Sequence, residues 1–252
     1  MTHPTPKTLL VTGASRGIGA ATAILAASQG WQVAVNYASN SLAADGVVRQ
    51  IRASGGVAIA VQADVSLEAD VLRLFETVDA KLGRLEGLVN NAGVVDIAQR
   101  VDEMSVDRLA RMWATNITSS FVCAREAVRR MSTKHGGSGG AIVNLSSAAA
   151  RIGSPGQYVD YAASKAAIDT FTIGLAKEVA TEGIRVNAVR PGIIDTDIHA
   201  SGGEPDRASR MAVHVPMQRA GSAQEVAAAI VWLLSDAASY TTGTVLDVAG
   251  GR

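Results

Sequence analysis

The stretch Thr12-Gly13-Ala14-Ser15-Arg16-Gly17-Ile18-Gly19 decides the fold, because it joins a short apolar run to a helical segment through a glycine-rich turn. Glycines allow a tight turn that brings backbone N–H groups close to a pyrophosphate, and a helix start adds partial positive charge. The spacing is Gly-x-x-x-Gly-x-Gly and departs from the more familiar Gly-x-Gly-x-x-Gly. An ordinary strand-to-helix turn is the alternative. The predicted phosphate-binding residues are Gly13, Ser15, Arg16, Gly17, Ile18 and Gly19.

Outward from this turn, short apolar runs alternate with longer segments whose apolar residues recur at helical spacing. This alternation predicts an α/β fold in which helices cover both faces of a parallel sheet. Strands are expected at residues 8–12, 32–36, 57–62, 87–90, 140–145, 185–190 and 244–248, and helices at 17–29, 41–54, 67–82, 105–132, 158–181 and 224–234. Seven strands suit one doubly wound, Rossmann-type domain that spans residues 1–252.

The overall composition indicates a folded, soluble protein whose main purpose is not nucleic-acid binding. Hydrophobic residues make up 48% of the 252 residues, charged residues 18%, and the formal net charge is +0. Residues 1–7 lack the apolar core of a secretory signal. No apolar stretch approaches the roughly 20 residues that cross a bilayer. We therefore expect a cytoplasmic location without membrane association.

The cysteine and the histidines argue against several kinds of site. Cys123 is the only cysteine, so neither an intramolecular disulfide nor a thiolate zinc site can form, and an inert packing role is expected. The chain has no Gly-x-Ser-x-Gly elbow, which disfavours a hydrolase triad. The histidines lie in polar, loop-like surroundings without metal-site spacing, and they are His3, His135, His199 and His214.

The end of the second predicted strand indicates which dinucleotide fits. NAD sites commonly place an Asp or Glu there for the ribose 2′-hydroxyl, and that carboxylate would repel a 2′-phosphate. The sequence is instead Asn36-Tyr37-Ala38-Ser39-Asn40, which contains no acid. Arg16 supplies a guanidinium suited to phosphate oxygens, while Ser39 and Asn40 offer neutral donors. NADP(H) is therefore favoured over NAD(H), although Arg16 could instead be solvated.

Tyr161 and Lys165 form the predicted acid–base pair. A phenol titrates near pH 10, so a tyrosine that exchanges a proton near neutrality needs a cation to stabilise its phenolate. Residues i and i+4 share a helix face, which brings the Lys165 ammonium toward Tyr161 and a cofactor ribose. Tyr158 fails the same test, because Ala162 lies four positions on. A surface helix pair is the alternative interpretation.

Two hydroxyls, those of Ser146 and Ser147, follow the fifth predicted strand. Ligands of doubly wound sheets bind beyond the carboxyl ends of the strands, so these side chains should reach the same crevice as the phosphate-binding turn. A serine there can hydrogen-bond a substrate oxygen and position it for proton transfer. It need not act as a nucleophile.

With Asn90-Asn91-Ala92-Gly93 after the fourth strand, these motifs in this order make the whole chain resemble the short-chain dehydrogenase/reductase family. Asp64-Val65, Asn116, the loop from Pro191 to Thr196, and residues 240–243 and 250–251 also match. The resemblance implies a homotetramer of seven-stranded Rossmann-type domains that acts on a small-molecule carbonyl or alcohol. It also implies a proton relay through Asn116 and Lys165.

The resemblance further assigns cofactor contacts along the chain. Asp64 and Val65 would lie near the adenine, and Ile194 and Thr196 would contact the nicotinamide carboxamide. A residue that starts a helix is the alternative for Asp64, and a helix polar residue is the alternative for Asn116. The other implied cofactor residues are Asn90, Asn91, Ala92, Gly93, Pro191 and Gly192, together with Tyr161 and Lys165 themselves.

Two features depart from the family pattern. Ser147 precedes Tyr161 by one residue more than expected, so residues 151–160 must absorb an insertion or the active hydroxyl must shift. Ser147 is favoured, with Ser146 as the alternative. The missing acid at Asn36 resembles the branch of the family that uses NADP.

We therefore expect an enzyme that interconverts a carbonyl and an alcohol by hydride transfer, with Tyr161 as acid or base. Ketones, 3-oxoacyl thioesters and sugars are candidate substrates. Residues 197–216 should form a polar, mobile lid, where Arg207 and Arg210 either receive an anionic substrate or remain solvated. Alternatives are an NADP(H)-sensing regulator without turnover, an NAD(H)-preferring dehydrogenase, or a structural subunit that shares the fold.

Overall fold

The seven predicted strands form one parallel sheet in a computed structural model, which describes residues 6–252 apart from the side chain of His199. The sheet order is β3-β2-β1-β4-β5-β6-β7, and each neighbouring pair is parallel. The first five residues, which include His3 and most of the polar start considered above, lie outside the described residues. The strands are β1 (Thr8–Val11), β2 (Gln32–Tyr37), β3 (Ala58–Gln62), β4 (Leu85–Asn90), β5 (Gly140–Leu145), β6 (Ile184–Pro191) and β7 (Val245–Val248).

Helices cover both faces of this sheet, which confirms the predicted doubly wound architecture. In the described part of the chain they are α1 (Gly17–Ser28), α2 (Ser41–Ala53), α3 (Glu68–Leu82), α4 (Val106–Trp113), α5 (Ser119–Met131), α6 (Ala149–Ile152), α7 (Val159–Val179), α8 (Ile198–Ser201), α9 (Arg207–Ala212) and α10 (Ala223–Leu234). Buried apolar side chains of α1, α2 and α10 pack on one face, and those of α3, α5 and α7 on the other. None of these helices has the length and apolar character to cross a membrane.

The position of the crevice follows from the strand order. The chain places β2 and β3 on one side of β1 and then returns to place β4 on the other side. Val11 at the end of β1 accordingly pairs with Val35 of β2 and with Val89 of β4. Ligands of doubly wound sheets bind where the order reverses in this way. The glycine-rich turn after β1 and the loop after β4 meet at this point.

Burial on both faces explains the nearly continuous apolar runs of the central strands. All four residues of β1 are buried, as are five of the six residues of β5. Cys123, on α5, packs in an apolar layer with residues of β4. Burial there raises the pKa of its thiol to about 12. The thiol therefore stays protonated, in keeping with the packing role predicted for it.

Buried amides connect the central strands to the helices of one face. Asn90 Nδ2 donates to Asn144 Oδ1 over 2.9 Å and to the Ser120 carbonyl oxygen over 3.3 Å. Asn144 Nδ2 donates in turn to Thr172 Oγ1 over 2.9 Å. A buried polar group that loses its partner costs about 1–3 kcal/mol, so this series of bonds fixes α5 and α7 against β4 and β5.

The helix predicted at 105–132 is confirmed over residues 106–131, with one local change in its hydrogen-bond pattern. A π-helical turn, Ala114–Thr118, separates α4 from α5. Asn116 in this turn accepts a hydrogen bond from the Val94 N–H over 2.8 Å and donates to the Val94 carbonyl oxygen over 2.9 Å. These hydrogen bonds to the loop after β4 accompany the widened turn. The π turn could not be predicted from hydrophobic periodicity, because polar contacts with another loop do not alter that pattern.

Three short helices, α6, α8 and α9, were not predicted because four to six residues give too little periodicity to detect. Two of them, α8 and α9, lie in the segment predicted as a lid. The other predicted ends agree with the structure to within two residues. These differences are shifts of one or two residues at the ends of helices and strands, where assignments ordinarily vary.

Candidate active site

Hydrogen bonds tie the glycine-rich turn to the loop that follows β4. Thr12 Oγ1 accepts from the backbone N–H groups of Asn91 and Ala92, each over 3.0 Å. The Asn91 side chain donates back to the carbonyl oxygens of Thr12 and Gly13, over 2.8 and 3.0 Å. Gly13 has φ +59°, and a Cβ there would lie 2.9 Å from Ala92 Cα. Only glycine therefore fits this contact without strain.

The first turn of α1 faces the cleft without a side-chain cap. Its N-cap residue, Arg16, makes no side-chain capping hydrogen bond, and the first turn contains no acid. A Cβ at Gly19 would lie 2.7 Å from the Gly13 carbonyl oxygen, so the absence of a side chain permits this close approach. Backbone N–H groups at such a helix start favour an anion. Ser15, Gly17 and Ile18 line the cleft beside them.

Asn36 supports the glycine-rich turn from within the protein. It is only 2% exposed, and its Oδ1 accepts from the Gly13 N–H over 3.1 Å. Its Nδ2 donates to the carbonyl oxygens of Val61 and Ala63, over 3.3 and 3.0 Å. The amide is therefore occupied by the backbone, although the residue borders the cleft. The more accessible residues at this strand end are Tyr37, Ala38, Ser39 and Asn40.

A cleft of about 430 Å³ runs from the glycine-rich turn across the carboxyl ends of β2, β3 and β4. This volume lies in the range of roughly 300–1,000 Å³ typical of ligand sites. The Asp64 carboxylate accepts hydrogen bonds from the N–H and hydroxyl of Ser66, so it organises the turn before α3. The glycine contacts, the uncapped helix start and the cleft together fit a dinucleotide. Other lining residues are Val65, Asn91, Ala92, Gly93 and Thr196.

A second cavity, of about 150 Å³, continues from this cleft. Ser147, Tyr161 and Lys165 all line it, as do Tyr158 and Arg207. The two spaces are contiguous, because the same side chains border both of them. The residues shared by the cleft and the cavity are Ile18, Asn91, Gly93, Thr196 and Ile198.

The phenol of Tyr161 lies beside the hydroxyl of Ser147. Burial raises the pKa of Tyr161 above its ordinary value, while a hydrogen bond with the Ser147 side chain and the charge of Arg207 oppose that rise. The phenol is therefore protonated at neutral pH. A protonated, hydrogen-bonded phenol at the wall of a cavity is suited to donate a proton.

Lys165 is buried beneath this phenol. Its Nζ donates to the Leu145 carbonyl oxygen over 2.8 Å and lies 5.7 Å from the centroid of the Tyr161 ring. Burial lowers the pKa of Lys165 to about 8, although the charge of Asp169 acts in the opposite direction. At pH 7 the ammonium form still predominates, so a positive charge lies one helical turn from the phenol.

The structure separates the two serines that follow β5. Ser146 is buried, and its Oγ donates to the Lys165 carbonyl oxygen over 3.1 Å. Ser147 is the serine that forms a hydrogen bond with Tyr161. Between Ser147 and Tyr161 the chain forms α6 and a tight turn, in which Gly153, Ser154 and Gly156 have positive φ. With this spacing Ser147 lies next to Tyr161.

Asn116 connects the loop after β4 to α7. Its Nδ2 donates to Ser164 Oγ over 3.1 Å, and Ser164 Oγ donates to the Tyr161 carbonyl oxygen over 2.7 Å. Gly93 lies between this amide and Lys165, because a Cβ at Gly93 would be 3.3 Å from Lys165 Nζ and 3.5 Å from Asn116 Oδ1. The predicted relay residues are thus close neighbours.

The loop after β6 joins the cavity to the glycine-rich turn. A Cβ at Gly192 would lie 2.8 Å from Ala249 Cα, so β6 and the strand end of β7 require glycine there. Pro191, Gly192 and Ile194 line the cavity. At the far end of the loop, a Cβ at Gly17 would lie 3.5 Å from Thr196 Cγ2. The loop therefore borders both spaces.

The segment 197–216 packs over the cavity through α9. Ala208 and Val215 are buried against Ile193. Its two arginines differ: Arg207 lines the cavity, whereas Arg210 forms an exposed ion pair with Glu204. The expectation of a solvated lid surface therefore describes Arg210 and not Arg207.

Sequence reasoning missed a buried ion pair at the start of α7. Arg108 Nε lies 2.7 Å from Asp160 Oδ2 and its Nη2 lies 3.3 Å from Asp160 Oδ1, with side chains only 4% and 0% exposed. Asp160 Oδ1 also accepts the N–H of Tyr161 over 2.9 Å. The partners are 52 positions apart, so no local pattern joins them. The adjacency of Asp160 to Tyr161 was the one available signal.

The sheet, its strand reversal and the cleft are those of a dinucleotide-binding oxidoreductase. Residues 13–252 match the family model described as enoyl-(acyl carrier protein) reductase. The uncharacterized oxidoreductase YgfF of Escherichia coli (strain K12) is 57% identical over 96% of this chain and 98% of that protein. The chain belongs to the short-chain dehydrogenase/reductase family, whose members are oxidoreductases that act on carbonyl and alcohol groups.

Two further proteins show how far this similarity extends. A 3-oxoacyl-(acyl-carrier-protein) reductase of Synechocystis sp. (strain ATCC 27184 / PCC 6803 / Kazusa) is 42% identical over 100% of this chain and 98% of that protein. The crystal structure of a blue fluorescent protein from a metagenomic library, in complex with NADPH, has a TM-score of 0.88 and 33% identity. The similar region covers 97% of this chain and 97% of that chain.

Asp160→Asn should destabilise the protein by about 3–5 kcal/mol, because it leaves the Arg108 charge buried without its counter-charge. Urea unfolding measures this loss. The exposed pair Arg100–Asp102 provides the control, and Asp102→Asn should cost less than about 1 kcal/mol. Equal, small losses in the two variants would contradict the structural role assigned to Asp160.

Proposed function

We propose that this protein interconverts a carbonyl and an alcohol with NADP(H), and that Tyr161 exchanges the proton. The observation that supports this most directly is the convergence of Ser147, Tyr161 and Lys165 on a cavity contiguous with the dinucleotide cleft. The residues proposed to hold the cofactor are those of the glycine-rich turn, the loops after β3 and β4, and the loop after β6. When bound, the nicotinamide supplies or accepts the hydride.

In the reductive direction, the Tyr161 phenol donates its proton to the substrate oxygen. The Ser147 hydroxyl holds that oxygen beside the phenol, so the proton is transferred over a short distance. The Lys165 ammonium stabilises the phenolate that remains. Asn116 and Lys165 then form the proposed path by which the phenol regains a proton. Their proximity around Gly93 supports this assignment.

The preference for NADP(H) rests on charge at the far end of the cleft. Arg16 is exposed there, and its Nη2 donates to Ser201 Oγ over 3.4 Å. No acidic side chain follows β2 within residues 37–40. A guanidinium suits the oxygens of a 2′-phosphate, and this strand end offers no carboxylate to repel them. The NADPH bound in a structural relative supports the same choice.

We also propose that residues 1–252 act as a single domain, with 197–216 as its lid, in a cytoplasmic homotetramer. An apolar patch on α5 and α7 supports assembly with a second copy. Phe121 is 47% exposed and stacks on Phe171 with ring centroids 3.8 Å apart, and the partly buried Leu175 borders the same groove. Exposed aromatic and aliphatic side chains on adjacent helices are typical of subunit interfaces.

Tyr161→Phe should reduce turnover at least 100-fold while cofactor binding stays within about threefold, because only the proton donor is lost. Nicotinamide absorbance with a panel of ketones and alcohols measures turnover, and fluorescence titration measures binding. Tyr240→Phe is the control, since Tyr240 is fully exposed.

Reductive kcat/KM should also fall as the pH rises through about 8, because Lys165 then loses its charge.

Retained turnover in Tyr161→Phe would refute the acid–base assignment. A wild-type protein that binds a dinucleotide but converts no member of the panel would instead support the NADP(H)-sensing alternative. Failure to bind either dinucleotide would favour the structural-subunit alternative.

Arg16→Gln combined with Ser39→Asp should reduce the ratio of kcat/KM for NADPH to that for NADH by at least tenfold. The double variant removes a phosphate donor and adds a repelling carboxylate at an exposed position of the cleft. Asn36→Asp would be a poor test, because its amide is buried and bonded to the backbone. Arg49→Gln, on the exposed face of α2, controls for the loss of one arginine charge.

An unchanged ratio of the two kcat/KM values would refute the interpretation that the cleft binds a 2′-phosphate near Arg16 and Ser39. A wild-type ratio below one would establish the NAD(H)-preferring alternative.

Phe121→Glu should dissociate the homotetramer, because it introduces charge into the apolar patch on α5 and α7. Sedimentation velocity measures the assembly state of the variant and the wild type. Leu42→Glu is the control, since Leu42 is also apolar and, at 79%, even more exposed, but lies on α2. A monomeric wild-type protein would contradict the proposed assembly.

A further inference from the structure

The cationic side chains of Lys165 and Arg207 line the cavity that contains Tyr161. Among the described residues at its wall there is no Asp or Glu side chain. The rest of the wall is apolar or hydroxyl-bearing, with side chains such as Ile152 and Ser154. A wholly neutral substrate would leave these cations without a counter-charge inside the cavity.

The flat guanidinium of Arg207 packs against the ring of Tyr158 at the cavity wall. Its guanidinium lies 4.9 Å from the centroid of the Tyr158 ring and donates to Gln157 Oε1 over 3.2 Å. Among the described residues it makes no other hydrogen bond and no ion pair within 4 Å. A guanidinium has five N–H donors, so most of them remain available to a ligand.

Glu204 forms no direct ion pair with Arg207. It forms an ion pair with Arg210, and one of its oxygens also accepts from Tyr158 Oη over 3.3 Å. The Glu204 carboxylate is thus already engaged, which leaves the Arg207 guanidinium without a paired carboxylate at the cavity wall. Arg207 acts on the reacting phenol as well, since its charge opposes the rise in the pKa of Tyr161.

We propose that Arg207 binds a carboxylate of the substrate, so that the preferred substrates are short oxo acids and the corresponding hydroxy acids. The proposal rests on the function proposed above and names the substrate class for the same site. The oxo group would lie at Ser147 and Tyr161, with the carboxylate at Arg207 on the same cavity wall. The carbonyl carbon gains hydride from the nicotinamide and its oxygen gains the Tyr161 proton, while the carboxylate is unchanged.

The test compares 2-, 3- and 4-oxo acids of four to six carbons with their methyl esters, which have the same carbonyl without the charge. Steady-state kcat/KM is measured with NADPH and with NADH for the wild type, Arg207→Gln, Arg207→Lys and the remote control Arg49→Gln. The deciding quantity is the ratio of kcat/KM for an acid to that for its ester. Any effect of Arg207 on Tyr161 itself cancels in this ratio.

For at least one chain length, the wild type should favour the acid. Arg207→Gln should reduce the acid-to-ester ratio by roughly 10- to 100-fold, and Arg207→Lys by less. Arg49→Gln should leave the ratio unchanged. A wild type that favours every ester, or a ratio unaltered by Arg207→Gln, overturns the proposal even though carbonyl reduction itself stands.

A binding measurement keeps the two proposals distinguishable when no member of the panel is turned over. Calorimetry of the NADP⁺-loaded protein then compares butyrate and hexanoate with their amides. Tighter binding of the carboxylates that Arg207→Gln abolishes supports the charge proposal, although the reaction proposal has failed. Equal binding of acid and amide overturns the charge proposal.

Discussion

The hydrogen bonds between Thr12 and Asn91 join the loops that follow β1 and β4, and the rest of the site depends on this junction. The strand order reverses there, so the chain leaves β1 and β4 toward opposite faces of the sheet and a crevice opens beyond their carboxyl ends. Gly13 and Gly19 let the backbones approach closely, and Asn36 supports the turn from within. The floor of the dinucleotide cleft is therefore built from backbone atoms held by buried side chains.

Chemistry that depends on neighbours in the sequence could be predicted, whereas contacts between distant segments could not. The glycine-rich turn and the i, i+4 pair of Tyr161 and Lys165 are local patterns, and the alternation of elements was enough to predict the parallel sheet. The ion pair between Arg108 and Asp160 joins residues from α4 and α7, which only the folded chain brings together. Hydrophobic spacing is likewise blind to the π turn around Asn116, which accompanies polar bonds to another loop.

Asn36 and Arg207 both show that a residue's availability to a ligand cannot be predicted from its place in the sequence. Asn36 is less available than its position indicated, and Arg207 is more available. The position of Asn36 at the end of β2 indicated a cofactor contact, yet its amide is consumed by the backbone of β3 and the glycine-rich turn. Arg207 and Arg210 looked equivalent in the sequence. In the structure Glu204 pairs with Arg210, while Tyr158 holds Arg207 at the cavity. A residue's type and place in the chain indicate what it can do, and its three-dimensional partners decide what it is free to do.

Burial opposes charge on both members of the proposed acid–base pair, Tyr161 and Lys165. It raises the pKa of Tyr161 and lowers that of Lys165, so it opposes a standing phenolate–ammonium pair. Carbonyl reduction needs a neutral phenol before proton transfer, and burial stabilises that form. Alcohol oxidation needs the phenolate first, which burial disfavours. In the proposed reaction, the positive charges of Lys165 and Arg207 therefore matter most after the proton has left, when they stabilise the resulting phenolate.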